Sequence, residues 1–510
     1  MSFLFYSERC IFSDGCAIQA EFLVEGGAKM LEEAVRSGVV EKLSKIVGSE
    51  NVSTNKADLY IHSYDMTQAE PSWPEILVLA KSVEEVQAVV KLANEEKVPV
   101  TPFVAGGNVG GVAIPLEGGI ILDLKRMDKI LEINEVDMYA VVEPGVTFGH
   151  MKAYLDENHP DLMYTYAFSP PTTGVITNSL LQGLDNLSFR YGAASNWVQG
   201  LEVVLGTGEI VRVGSCAVSD SWHAVVPMPE LTGLFLGWQG TTGIITKMSV
   251  ALWPKVDHSA SLNFQCANFD DTYRLIRALS RSRVADDVIS TSFPLSKVSM
   301  RAMQGEKANI YPAPEKKEGE PELTVSIEVS GNTDEEMQAR IHVIEKIVSE
   351  DLKDLNITVP TAMPSGRAGF PMQALPVLSG GGGLTWVGCY GPLSRWAETC
   401  ERGCQIQDKY DITRSAYTRV LNEGHFVGLR WMCPFDKGDE ETIRRIKAMA
   451  DEQLELVVEM GFVPYKTPVW AVRRLEQEGS PEWLKLHRGV KNLLDPNNVL
   501  NPGRWGKPAE

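Results

Sequence analysis

The segment EILVLAKSVEEVQAVVKLANEEKVPVTPFV, residues 75–104, constrains the fold more than any other in the chain. A short apolar run is followed by apolar residues at helical spacing, Val83, Val86, Val89, Val90 and Leu92, and then by a second apolar run. That order reads as strand, helix, strand, a βαβ unit. Its second strand runs into TPFVAGGNVGGVAIP, where Gly106, Gly107, Gly110 and Gly111 surround Asn108. A glycine-rich turn at a strand end is either a bare turn or a set of amides aimed at a phosphate, and composition does not separate the two.

At 510 residues with 44% apolar content, the chain calls for two or more large domains. After the glycine loop, GGIILDLKRM, ILEIN and YAVVEPGV read as short strands and TFGHMKAYLDEN as a helix. A loop from Ser169 leads to the hairpin LEVVLGTGEIVRVG, turning at Thr207-Gly208, and to GLFLGWQGTTGIITKMSVALWP, so one α+β unit extends to about Pro254. From Lys255 to Pro464, strand-like ASLNFQ, LTVSIEVSG and LTWVGCY alternate with amphipathic helices, the look of an antiparallel sheet with helices on one face. The polar run APEKKEGEPE is a loop within it, and a last helix stops at Asp495-Pro496.

A net charge of −19 argues against nucleic acid or anionic lipid as the main partner. The start MSFLFYSERCIFSDGCAIQ has no basic region ahead of an apolar core, and no apolar run reaches membrane-span length, so a cytoplasmic protein is expected. Neither Cys10 with Cys16 nor Cys400 with Cys404 has CxxC spacing, and no metal site is expected. No CxxCH heme motif occurs.

Five separated stretches, FVAGGNVGG, GGIILDLKRMDKILEINEVDMYAVVEPGVT, FRYGAASNWVQGLEVVLGTGEIVRVG, LFLGWQGTTGIITKMSVALWP and NLLDPNNVLNPGRWG, occur in the order of one family. The chain resembles flavoproteins of the vanillyl-alcohol oxidase and p-cresol methylhydroxylase (PCMH) type, whose FAD-binding half is shared with glycolate oxidase and D-lactate dehydrogenase. The resemblance implies an α+β fold: an N-terminal helical segment (1–55), a two-part PCMH-type FAD-binding domain (56–254), an antiparallel sheet-plus-helices cap, or substrate, domain (255–464) and a C-terminal return to the FAD-binding domain (465–510). It implies FAD as cofactor, with its pyrophosphate on the amides of Gly106, Gly107, Asn108, Val109, Gly110 and Gly111. Ser169, Thr172, Thr173 and Asn178 would run beside the isoalloxazine and pyrophosphate, and Gly243, Ile244 and Ile245 would support the adenine end. Many relatives carry two or three glycines where this chain has Pro171, Thr172 and Thr173.

Substrate class is written in the C-terminal half. D-2-hydroxy acid enzymes of this type show an HxGxGxxH-like metal-binding stretch, and the corresponding NEGHFVGLRWMCPFDKGD retains only His425. The phenol-oxidising branch holds a phenolate with two tyrosines and an arginine. Its Tyr-Arg pair matches Tyr465 and Lys466, its second tyrosine falls at Val109, and its acidic residue near flavin N5 falls at Ser169. Tyr465, Lys466, His425 and Arg430 are the catalytic candidates, and Trp386, Trp431 and Trp470 are candidate walls of an aromatic pocket. His425 is the first candidate for covalent flavin attachment, with Tyr417 and His62 behind it; unlinked FAD is the alternative. The expected activity is hydride removal from an aromatic or benzylic alcohol or a 4-alkylphenol to flavin N5. The alternatives are a D-2-hydroxy acid dehydrogenase subunit and a flavin electron-relay subunit. The expected partners are the small-molecule aromatic or hydroxy substrate, an electron acceptor (oxygen, a cytochrome or an electron-transfer flavoprotein) and further copies of the chain in a homo-oligomer.

Overall fold

The computed structural model describes residues 38–505, apart from 308–309, 314–316, 356 and 367–380. Cys10, Cys16 and most of the N-terminal segment lie outside the described residues. Within that segment, Val39–Val47 is helical and buries Val39, Leu43 and Val47 at i, i+4, i+8 spacing.

The first unit is the expected βαβ. Ile76–Leu79 and Val100–Phe103 both pair in parallel with Ile120–Asp123, which lies between them. The connecting helix Val83–Glu96 starts where Ser82 Oγ accepts the Glu85 N–H at 3.3 Å, and it buries Val86, Val89, Val90, Leu92 and Ala93. Residues 104–119 join two neighbouring parallel strands with neither helix nor strand. Parallel neighbours are ordinarily joined through a helix, so a long irregular crossover marks a loop kept for function. Because a strand follows it, it is not the glycine turn of a dinucleotide-binding Rossmann unit.

A five-stranded antiparallel sheet follows, ordered 130–134, 139–142, 244–251, 198–204 and 210–214. The largest sheet is eight-stranded and antiparallel, with Gly382–Gly391 and Ala416–Leu421 flanking Phe426–Asp436. Strand alternation sorts its side chains. Val387, Cys389, Ala416, Val420, Val427, Leu429 and Trp431 enter a core with residues of the helices Phe269–Ser282, Asp334–Lys346 and Trp396–Lys409. The intervening residues Trp386, Gly388, Tyr390, Tyr417, Arg419, Arg430 and Met432 therefore occupy the opposite face. There Arg419 Nη1 donates to the carbonyl of Asp185 and Tyr390 Oη donates to the carbonyl of Gln182 at 2.6 Å, both in the part of the chain before residue 255. This face of the sheet thus meets the first half of the chain, and Leu295 of the helix Phe293–Met303 also packs on it with Tyr417 and Met432.

Candidate active site

A cleft enclosing about 980 Å³ of space between protein atoms, partly open to solvent, lies at the strand end where the glycine loop begins. Three stretches wall it, 102–108, 173–178 and 239–245, and Lys466 and Asn501 join them from the C-terminal return. Of the residues expected to hold a cofactor, Gly106, Gly107, Asn108, Thr173, Asn178, Gly243, Ile244 and Ile245 are in this wall.

Five others are not. Gly110 turns to the C-terminal return: a Cβ there would lie 2.6 Å from the Lys466 carbonyl oxygen and 3.4 Å from Pro468 Cα. The Gly111 carbonyl accepts from the buried Arg504 guanidinium. Val109 is buried with Met66, Leu384 and Trp386, on the cap side. Ser169 follows Phe168, whose ring packs 5.7 Å from Tyr417 at the same interface, and Thr172 is exposed. The glycine loop therefore divides its work. Residues 106–108 line the cleft, whereas 109–111 lock the loop to the rest of the protein.

The cleft fits a dinucleotide flavin. Among the described residues, the N–H groups of Gly106, Gly107 and Asn108 meet no protein acceptor, while that of Gly110 is taken by Asn108 Oδ1 at 2.6 Å. A Cβ on Gly107 would meet nothing within 4 Å, so this backbone is bare toward the open space. Unpaired amides beside a cleft suit an anionic group such as a pyrophosphate, and the apolar side chains of Ile176, Leu180, Ile244 and Ile245 suit ring systems.

At the Lys466 end the structure assembles a polar cluster. Gly388 lies opposite Arg430 in the strand ladder, and a Cβ there would come within 2.7 Å of Tyr465 and 2.9 Å of Trp386. The missing side chain leaves room for both rings at Gly388, next to Arg430 across the ladder. The Arg430 guanidinium, in a residue 5% exposed, lies 5.2 Å from the Trp386 ring centroid and 4.6 Å from that of Tyr417. Among the described residues it has no carboxylate partner. Tyr465 stacks on Tyr390 at 4.4 Å, its hydroxyl is buried without a hydrogen-bond partner, and burial pushes its pKa up to about 12. Lys466 adopts a left-handed backbone with φ 46°, and its Nζ donates to Asn178 Oδ1 at 3.3 Å. Burial, with Arg430 nearby, brings the Lys466 pKa down to about 8 against the opposing pull of Asp185.

Other expectations need correction. His425 is not at the cleft. It follows the left-handed residues Asn422 and Glu423 in the turn between Ala416–Leu421 and Phe426–Asp436, is exposed, and lines a separate depression with Tyr273 and Arg277. Trp431 is fully buried beneath the cap helices, where a Cβ on Gly403 would strike its ring, so it walls no pocket. Cys400 and Cys404 are buried thiols on one helix. Tyr417 accepts from Arg419 Nη2 at 3.0 Å in the polar cluster, and His62 is buried against Phe103, with Nδ1 2.7 Å from the Asp58 carbonyl. Trp470 is half-buried in the C-terminal return. Among the described residues, no three His, Cys, Asp or Glu side chains gather as metal ligands would, and no helix is long and apolar enough to cross a membrane.

Three members of the cluster were missed: Asp185, Arg419 and Tyr390. The signal for Arg419 was present, because a charge inside the strand AYTRVL must face away from a core or be paired. Asp185 sits alone in the loop QGLDNLS, with nothing in the sequence to distinguish it.

Residues 74–214 match the FAD binding domain family, and residues 255–505 match the family described as FAD linked oxidases, C-terminal domain. The chain belongs to the FAD-linked oxidases. This FAD-linked oxidase is 28% identical to the 4-cresol dehydrogenase [hydroxylating] flavoprotein subunit of Pseudomonas putida, over 92% of this chain and 95% of that protein. It is 26% identical to the glycolate oxidase subunit GlcD of Bacillus subtilis, over 92% and 97%. Among solved structures it superposes on p-cresol methylhydroxylase with substrate bound, with a TM-score of 0.79, 26% identity and coverage of 92% of this chain and 96% of that one. The fold is the PCMH-type α+β architecture, the cofactor is FAD, and the protein is an FAD-dependent oxidoreductase. When bound, FAD supplies a two-electron acceptor for a hydride. The cleft's lining fits that cofactor, and Lys466, with Arg430 near it and Tyr465 next in sequence, stands at one end of the cleft.

Proposed function

We propose that this FAD-linked oxidase oxidises an aromatic substrate that binds as an anion, a 4-alkylphenol or 4-hydroxybenzylic alcohol. The carbon bonded to the ring would give up its hydride to flavin N5. One observation carries this reading: the Arg430 guanidinium is buried between the Trp386 and Tyr417 rings, beside Tyr465, without a carboxylate partner among the described residues. A buried cation costs free energy unless an anion compensates it. Aromatic walls favour an anion that is itself a ring over a small aliphatic acid. The substrate would sit between the cap and the FAD-binding half, with its negative oxygen toward Arg430, Tyr465 and Lys466. Electrons would then pass to an acceptor protein, as the name flavoprotein subunit of the Pseudomonas relative suggests.

The competing reading is oxidation of a D-2-hydroxy acid, supported by the glycolate oxidase subunit of Bacillus subtilis and by a D-lactate dehydrogenase of Anaerostipes hadrus at 25% identity. The test is anaerobic mixing of the purified flavoprotein with 4-alkylphenols, benzylic alcohols, D-lactate and glycolate while following the visible flavin band. Bleaching by the phenols or benzylic alcohols alone supports the proposal. Bleaching by the hydroxy acids alone replaces it with the second reading, and bleaching by none points to an electron relay.

A further inference from the structure

Behind Lys466 stands a buried chain of side chains that ends on Asp185, a residue to which none of the expected roles is given. Lys466 Nζ donates to Asn178 Oδ1 at 3.3 Å, and Asn178 Nδ2 donates to Asp185 Oδ2 at 3.0 Å. Asp185 has no exposed surface, and its Oδ1 has no hydrogen-bond partner. Its backbone is held from two sides. Its N–H donates to Ser188 Oγ at 2.8 Å, and its carbonyl accepts from Arg419 Nη1 of the cap sheet. Gly183 makes the arrangement possible, since a Cβ there would collide with the Asn178 amide. The amide, the carboxylate and the cap-domain arginine are thus fixed together at the junction of the two halves, with Asn178 and Lys466 in the cleft wall.

We propose that Asp185 is a positioning residue for the oxidation: through Asn178 it aims the Lys466 ammonium at the cleft and supplies the counter-charge that holds it there. The inference rests on the reading that Lys466 faces substrate. Without an anion behind it, a lysine buried beside Arg430 loses its proton readily, because burial and the like charge both act against the ammonium. Asp185 opposes both. Its own charge is balanced in turn. Arg419 approaches it while pairing with Asp287 at 3.3 Å; Asp287 works against the Asp185 charge, and Tyr164 and Tyr390 also feel it. Burial pushes Asp185 up to about 7, with Arg419 and then Lys466 pulling it down. Carboxylate and ammonium are therefore charged together only around neutrality, and each favours the charged form of the other. The device ties substrate charge recognition to cap docking, because the same aspartate that backs Lys466 through its side chain receives Arg419 on its carbonyl.

The test uses the full-length flavoprotein and its fastest-reducing substrate in anaerobic stopped flow across pH. Asp185→Asn keeps an acceptor for Asn178 and removes the charge. It should lose the acid limb of the rate profile, move the alkaline limb to lower pH by about one unit, and slow reduction about tenfold at the parent's optimum. Asp185→Ser, smaller and uncharged, should move the alkaline limb the same way and guards against a packing defect in the asparagine variant. Lys466→Met serves as the reference. If it reduces its flavin at the parent's rate, the role given to Lys466 falls, and this inference with it. If it is slow while both Asp185 variants keep the parent's two limbs, the inference alone is overturned. Lower melting temperature or FAD content in the Asp185 variants with unmoved limbs makes Asp185 merely structural and overturns it equally.

Discussion

Asn178 Oδ1 accepts a hydrogen bond from Lys466 Nζ at 3.3 Å across 288 positions of sequence. One partner is in the cofactor cleft's wall on a short helix, and the other arrives on the C-terminal return. The contact therefore ties the cation proposed to meet substrate to the surface proposed to meet flavin. Lys466→Met should keep FAD, because the bare amides of Gly106, Gly107 and Asn108 remain, and should slow reduction by an anionic substrate tenfold or more, about 1.4 kcal/mol or above. Lys466→Arg should preserve activity toward phenols, since a planar fork suits an oxyanion beside a tyrosine.

The same lysine sets a pH dependence. Its pKa is lowered to about 8 by burial, so the ammonium is present below that pH and lost above it. Binding of an anionic substrate should weaken as pH rises through about 8. In Lys466→Arg this alkaline limb should disappear, because a guanidinium keeps its charge throughout. A parent profile flat from neutral pH to well above 8 would refute the assignment.

Two glycines of one loop should fail in different ways. Gly107 has open space where a Cβ would go, so Gly107→Leu should fold with near-normal stability and lose FAD, read as an apoprotein with an unchanged circular dichroism spectrum. At Gly110 the Cβ would press on the Lys466 carbonyl at 2.6 Å. Gly110→Ala should push the 466–468 segment away, lower the melting temperature and slow reduction while FAD still binds. Flavin loss in the Gly110 variant alone would reverse the division of the loop.

That division was not legible in the sequence. A glycine is needed both where a ligand approaches backbone and where another segment does, and spacing cannot tell Gly107 from Gly110. Local pattern was enough for the elements themselves. Ile76–Leu79 and Ile120–Asp123 are apolar runs in a parallel sheet, and Val83–Glu96 repeats its valines at helical spacing. Tyr465, Lys466 and Arg430 could be named because they stand in recognisable stretches. His425 misled for a physical reason: Asn422, Glu423 and Gly424 all take positive φ, which makes NEG a hairpin turn and carries the next residue to the surface. Asp185 was invisible because its significance lies in partners from distant parts of the chain.

Glu75, almost fully buried at the start of the first parallel strand, accepts the Gly119 N–H, and burial pushes its pKa up to about 7 from 4.5. A carboxyl with a raised folded-state pKa binds its proton more tightly when native. Stability should therefore fall as pH rises from 4.5 through 7 and stay reduced above. Glu75→Gln keeps an acceptor for Gly119 and removes the charge. It should add up to roughly 3 kcal/mol at pH above 7 and almost nothing near 4.5, measured by denaturant unfolding at both. An equal effect at both pH values would show that the carboxyl does not titrate in that window.

The last prediction concerns the clamp that closes the C-terminal return over the cleft. Lys491, 1% exposed, donates to the carbonyls of Thr241 at 2.6 Å and Leu500 at 3.1 Å and pairs with Asp495 Oδ2 at 2.5 Å. Asp495 also accepts the N–H groups of Val499 and Leu500, and a Cβ on Gly206 would collide with it. Val100 and Leu500 then form a parallel bridge, so the tail extends the first sheet, while Thr241 stands between cleft residues Gly240 and Gly243. Lys491→Met leaves a buried carboxylate without its cation and two carbonyls without a donor. It should cost about 3–5 kcal/mol and weaken FAD retention through the displaced 239–245 wall. Replacing a whole buried ion pair with apolar residues often restores stability. Here Lys491→Met combined with Asp495→Leu should recover none of it, because Asp495 also satisfies two backbone N–H groups that leucine would strand. Recovery to near-parent melting temperature in the double variant would mean that the ion pair, and not the backbone clamp, is what the tail depends on.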